Sequence, residues 1–168
     1  MVRLMLLRHG KSDWTADTRG DRARPLSVRG QRAASTMGLA LRKMGEAPDR
    51  VVSSPAVRAE STASLARLSG GWSAPLEIGD ELYGAGPDGA LAVAARCGRG
   101  AGRLMLVGHE PTWSLLARQI TGGRITVKTG TVLAFDLDIA SWAEAGRAHG
   151  SLAYALHPRM FDHEWNLT

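Results

Sequence analysis

The sequence predicts an α/β fold, a single three-layer α/β/α domain over residues 1–168 with a mainly parallel sheet and helices on both faces. Three observations predict it. Two short, almost wholly apolar runs, Val2 to Leu7 (broken only by Arg3) and Leu104 to Val107, stop abruptly, the first at Arg8-His9-Gly10 and the second at Gly108-His109. Such runs read as strands buried on both faces, as in a parallel sheet. Segments with helical spacing of apolar residues alternate with the strands, which is the βαβ pattern. Finally, 168 residues at 44% hydrophobic and 22% charged composition suit one domain with a substantial core.

Taken in order, Val2 to Leu7 is the first strand and Ser12 to Pro25 a polar loop. Ser27 is a candidate N-cap for a helix to about Met44, with Ala33, Met37, Ala40, Leu41 and Met44 at spacings of three and four, and Gly45 as its stop. Arg50 to Ser53 is a short strand. A helix then begins at Pro55 and runs through Leu68 to Gly70-Gly71. Leu76 to Tyr83 is mixed, with one short strand. Asp88 to Cys97 is helical, Leu104 to Val107 is a strand, and Pro111 to Ile120 is a helix. Thr131 to Leu137 and Ser151 to Leu156 are late strands around a short helix at Ser141 to Ala145; their short connections allow an antiparallel edge.

Composition excludes several classes. No apolar stretch approaches the roughly 20 residues of a spanning helix, and no signal peptide is visible. The single cysteine, Cys97, cannot form an intrachain disulfide and reads as a small buried residue. A cytoplasmic setting is therefore expected, with no membrane partner. The formal charge is +5, and 18 of the 21 basic residues are Arg. A basic balance admits nucleic acid, an anionic protein or a phosphorylated small molecule. The cations are scattered and no run of five or six occurs, so nucleic acid is not the expected partner, and a solvated surface explains most of them.

Three features carry chemistry. Arg8-His9-Gly10 follows the first strand, where open α/β sheets bind ligands. Gly108-His109-Glu110-Pro111 follows another strand and precedes a helix, whose N-terminus favours anions. Ser53-Ser54-Pro55 ends a third strand, with Arg58 on the helix after it. Each alone is also a plain surface turn or solvated helix face. Together they bring two His and two Arg to the same sheet edge, a set that suits a tetrahedral phosphate dianion. One neutral His can then attack phosphorus while the other donates to its oxygens.

These segments resemble the histidine phosphatase (phosphoglycerate mutase-like) superfamily: Leu7-Arg8-His9-Gly10-Lys11-Ser12-Asp13-Trp14, Ser53 to Thr62 and Val107-Gly108-His109-Glu110-Pro111, supported by Arg24-Pro25-Leu26-Ser27 and Asp80-Glu81-Leu82-Tyr83-Gly84. The short chain and the Arg-Pro-Leu-Ser segment look most like its compact SixA-type phosphohistidine phosphatase branch. The resemblance implies a phosphoglycerate mutase-like fold and a metal-independent phosphatase with a covalent phosphohistidine intermediate. His9 matches the nucleophile, and Arg8, Arg58 and His109 match the phosphate pocket. The nucleophilic ring is expected to attack through one nitrogen while the other donates to a backbone carbonyl. Glu81, or Asp80 one residue earlier, lies where family members acting on phosphomonoesters carry a general acid. An imidazole leaving group would need such an acid least.

Lys11 and Ser12 are candidate donors to phosphate or substrate, or simply loop surface. Trp14 lines the pocket mouth or packs under the loop. No cofactor or metal is expected, because His9 and His109 lack metal-ligand spacing. The expected substrate is phosphohistidine on a protein; the alternatives are a small phosphomonoester or a phosphate-binding module without turnover. His149, His157 and His163 read as surface or edge residues, and the segment from Met160 to Trp165 as a tail that docks on the body.

Overall fold

The computed structural model describes residues 2–161. It has a six-stranded sheet in the order β3-β2-β4-β1-β5-β6. The elements are β1 (Val2–Arg8), α1 (Val28–Lys43), β2 (Arg50–Ser53), α2 (Val57–Gly70), β3 (Leu76–Ile78), α3 (Pro87–Cys97), β4 (Arg103–Gly108), α4 (Thr112–Thr121), β5 (Val132–Leu137) and β6 (Gly150–Leu156). β1 to β4 are mutually parallel, whereas β5 runs antiparallel to both β1 and β6. The mainly parallel sheet with an antiparallel edge is thus as the sequence predicts.

Alternation along β1 builds the three layers. Leu4 and Leu6 face a core made with α3, α4 and Trp142, while Met5 and Leu7 face a core made with α1 and α2. All four are fully buried, which is why Leu4 to Leu7 carries no polar residue. Ser27 caps α1 by accepting from the Gly30 N–H (3.2 Å). Gly38 of α1 lies so close to the Ala66 carbonyl of α2 that a Cβ would overlap it, so the two helices pack backbone to backbone.

Several boundaries differ from expectation. α2 begins at Val57, not Pro55, because Ala56 is still extended (ψ 132°) and serves as the N-cap. Leu76 to Tyr83 divides into three-residue β3 and a 3-10 turn, Asp80–Leu82. The short helix near Ser141 is a 3-10 helix, Trp142–Arg147. The Ser12 to Pro25 loop contains a 3-10 turn at Asp21–Ala23, and Ser12 bridges Leu26 just after it. Cys97 is buried, and burial raises its thiol pKa. After β6 a 3-10 turn spans Pro158–Phe161; Asp162, His163, Glu164 and Trp165 lie outside the described residues. No helix among the described residues is long and apolar enough to cross a membrane.

Candidate active site

Strand register brings the two histidines together. In the central pair Arg8 lies opposite Gly108, so His9 and His109 are the next residues of adjacent parallel strands. The His9 N–H donates to the Gly108 carbonyl (3.0 Å), and the imidazole centroids are 5.1 Å apart. β2 flanks β4 on its other side, and the Ser54 N–H donates to the Val107 carbonyl (2.9 Å). Three strand ends, β2, β4 and β1, therefore meet at one edge. α2 and α4 start there without a side-chain cap from their N-cap residues, aiming helix N-termini at the same edge.

His9 is buried, and both ring nitrogens are engaged. Nδ1 lies 2.7 Å from the Gly10 carbonyl. Nε–H of Arg58 donates to Nε2 of His9 (3.3 Å). A carbonyl only accepts and Arg only donates, so Nδ1 carries the proton and Nε2 the lone pair. Burial is the main cause that lowers the His9 pKa to about 3, with the charges of His109, Arg58 and Arg8 adding to it. Gly10 supports this position through close approach: a Cβ there would lie 2.6 Å from the Gly30 carbonyl of α1. Its N–H is held by the Thr62 hydroxyl (3.0 Å).

His109 Nε2 is 2.8 Å from Oγ of fully buried Ser54. Burial first, then Arg58 and Arg8, lowers the pKa of His109 to about 4. Two buried polar atoms at this edge, Nδ1 of His109 and Nε of Arg8, have no hydrogen-bond partner. Arg8 is anchored through Nη1 to the Val127 carbonyl (2.7 Å), and burial lowers its pKa.

Arg58 is buried on the first turn of α2, and Asp21 holds its outer edge. Nη1 donates to the Asp21 carbonyl (2.6 Å) and Nη2 to its carboxylate (2.7 Å). Arg24 pairs with the same carboxylate (2.6 Å), and the Tyr83 hydroxyl donates to it (3.2 Å). Burial pushes the Asp21 pKa up, but the Arg58 bond and the two guanidinium charges outweigh it and lower it. Asp21 is the site residue that sequence reasoning missed. Its one available signal was an acid three residues before Arg24-Pro25-Leu26-Ser27.

The structure thus brings together His9, Arg8, Arg58 and His109, four of the expected residues. Glu81 does not join them, because its exposed carboxylate pairs with Arg96 (3.1 Å). Asp80 pairs with Arg22 (3.0 Å) at the surface. Ser12 is buried in its bridge, and Lys11 is exposed, its carbonyl accepting from Ser27. Trp14 is exposed, with the Arg24 guanidinium stacked 3.4 Å over its ring. Among the described residues no three His, Cys, Asp or Glu side chains gather as a metal site would require.

An arrangement of one neutral imidazole whose Nε2 lone pair faces Arg58, a second imidazole and two guanidiniums fits attack on a phosphoryl group. Residues 4–83 match the histidine phosphatase superfamily (branch 1). A solved structure assigned as phosphohistidine phosphatase SixA from Nakamurella multipartitia is 31% identical, with a TM-score of 0.76 over 94% of this chain and 96% of that one. The chain belongs to the histidine phosphatase superfamily. An uncharacterised protein of Mycobacterium tuberculosis is 41% identical over 111 residues, 66% of this chain and 67% of that protein. The alpha-ribazole phosphatase from Shigella flexneri shares the fold at 20% identity, with a TM-score of 0.67 over 90% of this chain and 95% of that one. The family supports phosphatase activity; its members' names span protein and small-molecule substrates.

Proposed function

We propose that the protein is a metal-independent phosphatase that works through a phosphohistidine intermediate on His9, with phosphohistidine on a protein as its substrate. The observation that carries the reading is the fixed tautomer of His9, with its Nε2 lone pair against Arg58 and its pKa near 3. A ring neutral throughout the physiological range needs no base to activate it.

In the first step Nε2 of His9 attacks phosphorus. The new N–P bond forms as the bond to the leaving group breaks, and the leaving group takes the electron pair. Arg58 and Arg8 neutralise the equatorial oxygens, and Nδ1 of His109 donates to one of them in the tautomer whose Nε2 accepts from the Ser54 hydroxyl. A phosphate there satisfies buried donors that otherwise cost about 1–3 kcal/mol each. Nδ1–H of His9, held by the Gly10 carbonyl, stabilises the positive ring. Water then attacks phosphorus: the O–P bond forms as the N–P bond breaks, the electron pair returns to Nε2, the water's proton passes to solvent, and inorganic phosphate leaves.

The choice of phosphohistidine rests on the leaving group. Asp21, the carboxylate bonded to Arg58, is kept ionised by two guanidiniums, and Glu81 and Asp80 are engaged by Arg96 and Arg22. A leaving imidazole picks up its proton from water near neutral pH, whereas an alkoxide needs a positioned acid. The reading is tested by hydrolysis, without added metal, of a phosphohistidine-bearing protein and of p-nitrophenyl phosphate, with wild type and His9→Ala side by side. Turnover of the phosphoprotein that vanishes in the variant supports it. Activity retained by His9→Ala, or a strict need for magnesium, overturns it.

A further inference from the structure

A cavity of about 810 Å³ adjoins the site on the α1 side of the sheet. Its walls come from the end of β1, the first two turns of α1, the turn before β5 and the 3-10 turn after β6. Six of the chain's 21 basic residues line it: Arg8, Lys11, Arg29, Arg32, Lys128 and Arg159. No carboxylate among the described residues does so, and none pairs with Lys11, Arg29, Arg32, Lys128 or Arg159.

This accumulation works against the fold. Arg29 sits in the first turn of α1, where the helix dipole favours acids and none is present. Arg29, Arg32, Ala33 and Thr36 form one helical face, so the helix presents its cations to the cavity together. Such a concentration of one sign in a concave, partly enclosed space attracts an anion and is stabilised by it. The volume falls in the range of small-molecule sites, roughly 300–1,000 Å³. Arg8 joins the two regions: it lines this cavity, and its charge acts on both His9 and His109.

We propose that the cavity is a second anion subsite, and that the enzyme also accepts small molecules carrying two phosphate groups, one delivered to His9 and the other held by Arg29, Arg32, Lys128 and Arg159. The inference rests on the phosphatase reading of His9 and extends its substrate range. When the two phosphates are joined as an anhydride, the leaving group is itself a phosphate. The P–O bond to it breaks, it keeps the electron pair, and it needs no strong acid, consistent with the engaged carboxylates around the site.

The test is calorimetric titration of the full chain with inorganic phosphate and with inorganic pyrophosphate, on wild type, Arg29→Ala/Arg32→Ala and Lys128→Ala/Arg159→Ala. All four side chains are exposed, and Ala favours the helix, so the first variant should fold; the second removes the opposite wall. Pyrophosphate should bind wild type about tenfold or more tighter than phosphate, and each variant should lose about that factor on pyrophosphate but less than threefold on phosphate. Equal affinities in wild type and both variants would overturn the subsite. A loss seen only in the KM for a phosphohistidine protein would reassign the cavity to acidic protein side chains and overturn the small-molecule claim. Hydrolysis of a phosphohistidine-bearing protein by the same samples reads His9 separately: no turnover with intact pyrophosphate discrimination sinks the phosphatase reading but keeps the subsite.

Discussion

Lowering the pH from 7 to 5 should cost the fold about 4 kcal/mol through two imidazoles alone, roughly 2 from each. His9 and His109 are held near pKa 3 and 4, against 6.5 in the unfolded chain. Between pH 6.5 and 4 the unfolded chain binds a proton at each ring while the folded chain does not. Stability therefore rises with pH across that window and is lost as pH falls through it. The loss is a large share of a typical folding free energy of about 5–15 kcal/mol. Carboxylates with lowered pKa values, such as Asp21 and Asp136, contribute mostly below pH 5 and leave the window clean. The assay is urea unfolding at pH 7 and pH 5 of wild type, His9→Asn and His109→Asn. Each variant removes one titrating ring and should shed about 2 kcal/mol of the pH dependence. If both variants keep the wild-type dependence, the rings are not held neutral, and the argument for a ready nucleophile at His9 fails with it.

Further outcomes follow from the same geometry. Arg58→Ala or His109→Ala should lower kcat/KM about 100- to 1,000-fold, as for loss of one preorganised donor to a transition state, measured on the preferred substrate. Asp21→Ala should cost roughly 10- to 100-fold by releasing Arg58 from its orientation, while Asp21→Asn, which keeps an acceptor, should lose less; a kcat effect with little change in KM marks it as a positioning residue. Glu81→Gln and Asp80→Asn should leave phosphohistidine turnover within about twofold, since a leaving imidazole needs no carboxylic acid. A chelator should leave initial rates unchanged.

What the sequence disclosed and what it hid divide along a physical line. β1 and β4 were legible because burial on both faces demands unbroken apolar runs. The His9 and His109 that follow these runs mark where the two strand ends meet, so the gathering of His9, Arg8, Arg58 and His109 at one sheet edge is legible in the sequence. Asp21 could not, because it reaches Arg58 through the path of an irregular loop, which carries no periodicity. The acid stayed open between Glu81 and Asp80 because a one-residue slip in the resemblance decides between them; in the 3-10 turn they go to Arg96 and Arg22. The cations looked scattered because Lys11, Arg29, Lys128 and Arg159 come from distant segments. The packing of the β1 end, α1 and the turns around β5 and β6 gathers them along one cavity, where they stay exposed as a solvated surface requires.

The central claim is covalent chemistry at His9, and rapid quenching during turnover followed by peptide mass spectrometry tests it most directly. The account predicts one acid-labile phosphoryl group on the peptide that contains His9, carried on Nε2, and absent from His9→Asn. A phosphoryl group on another residue, or steady turnover by His9→Asn, would contradict it.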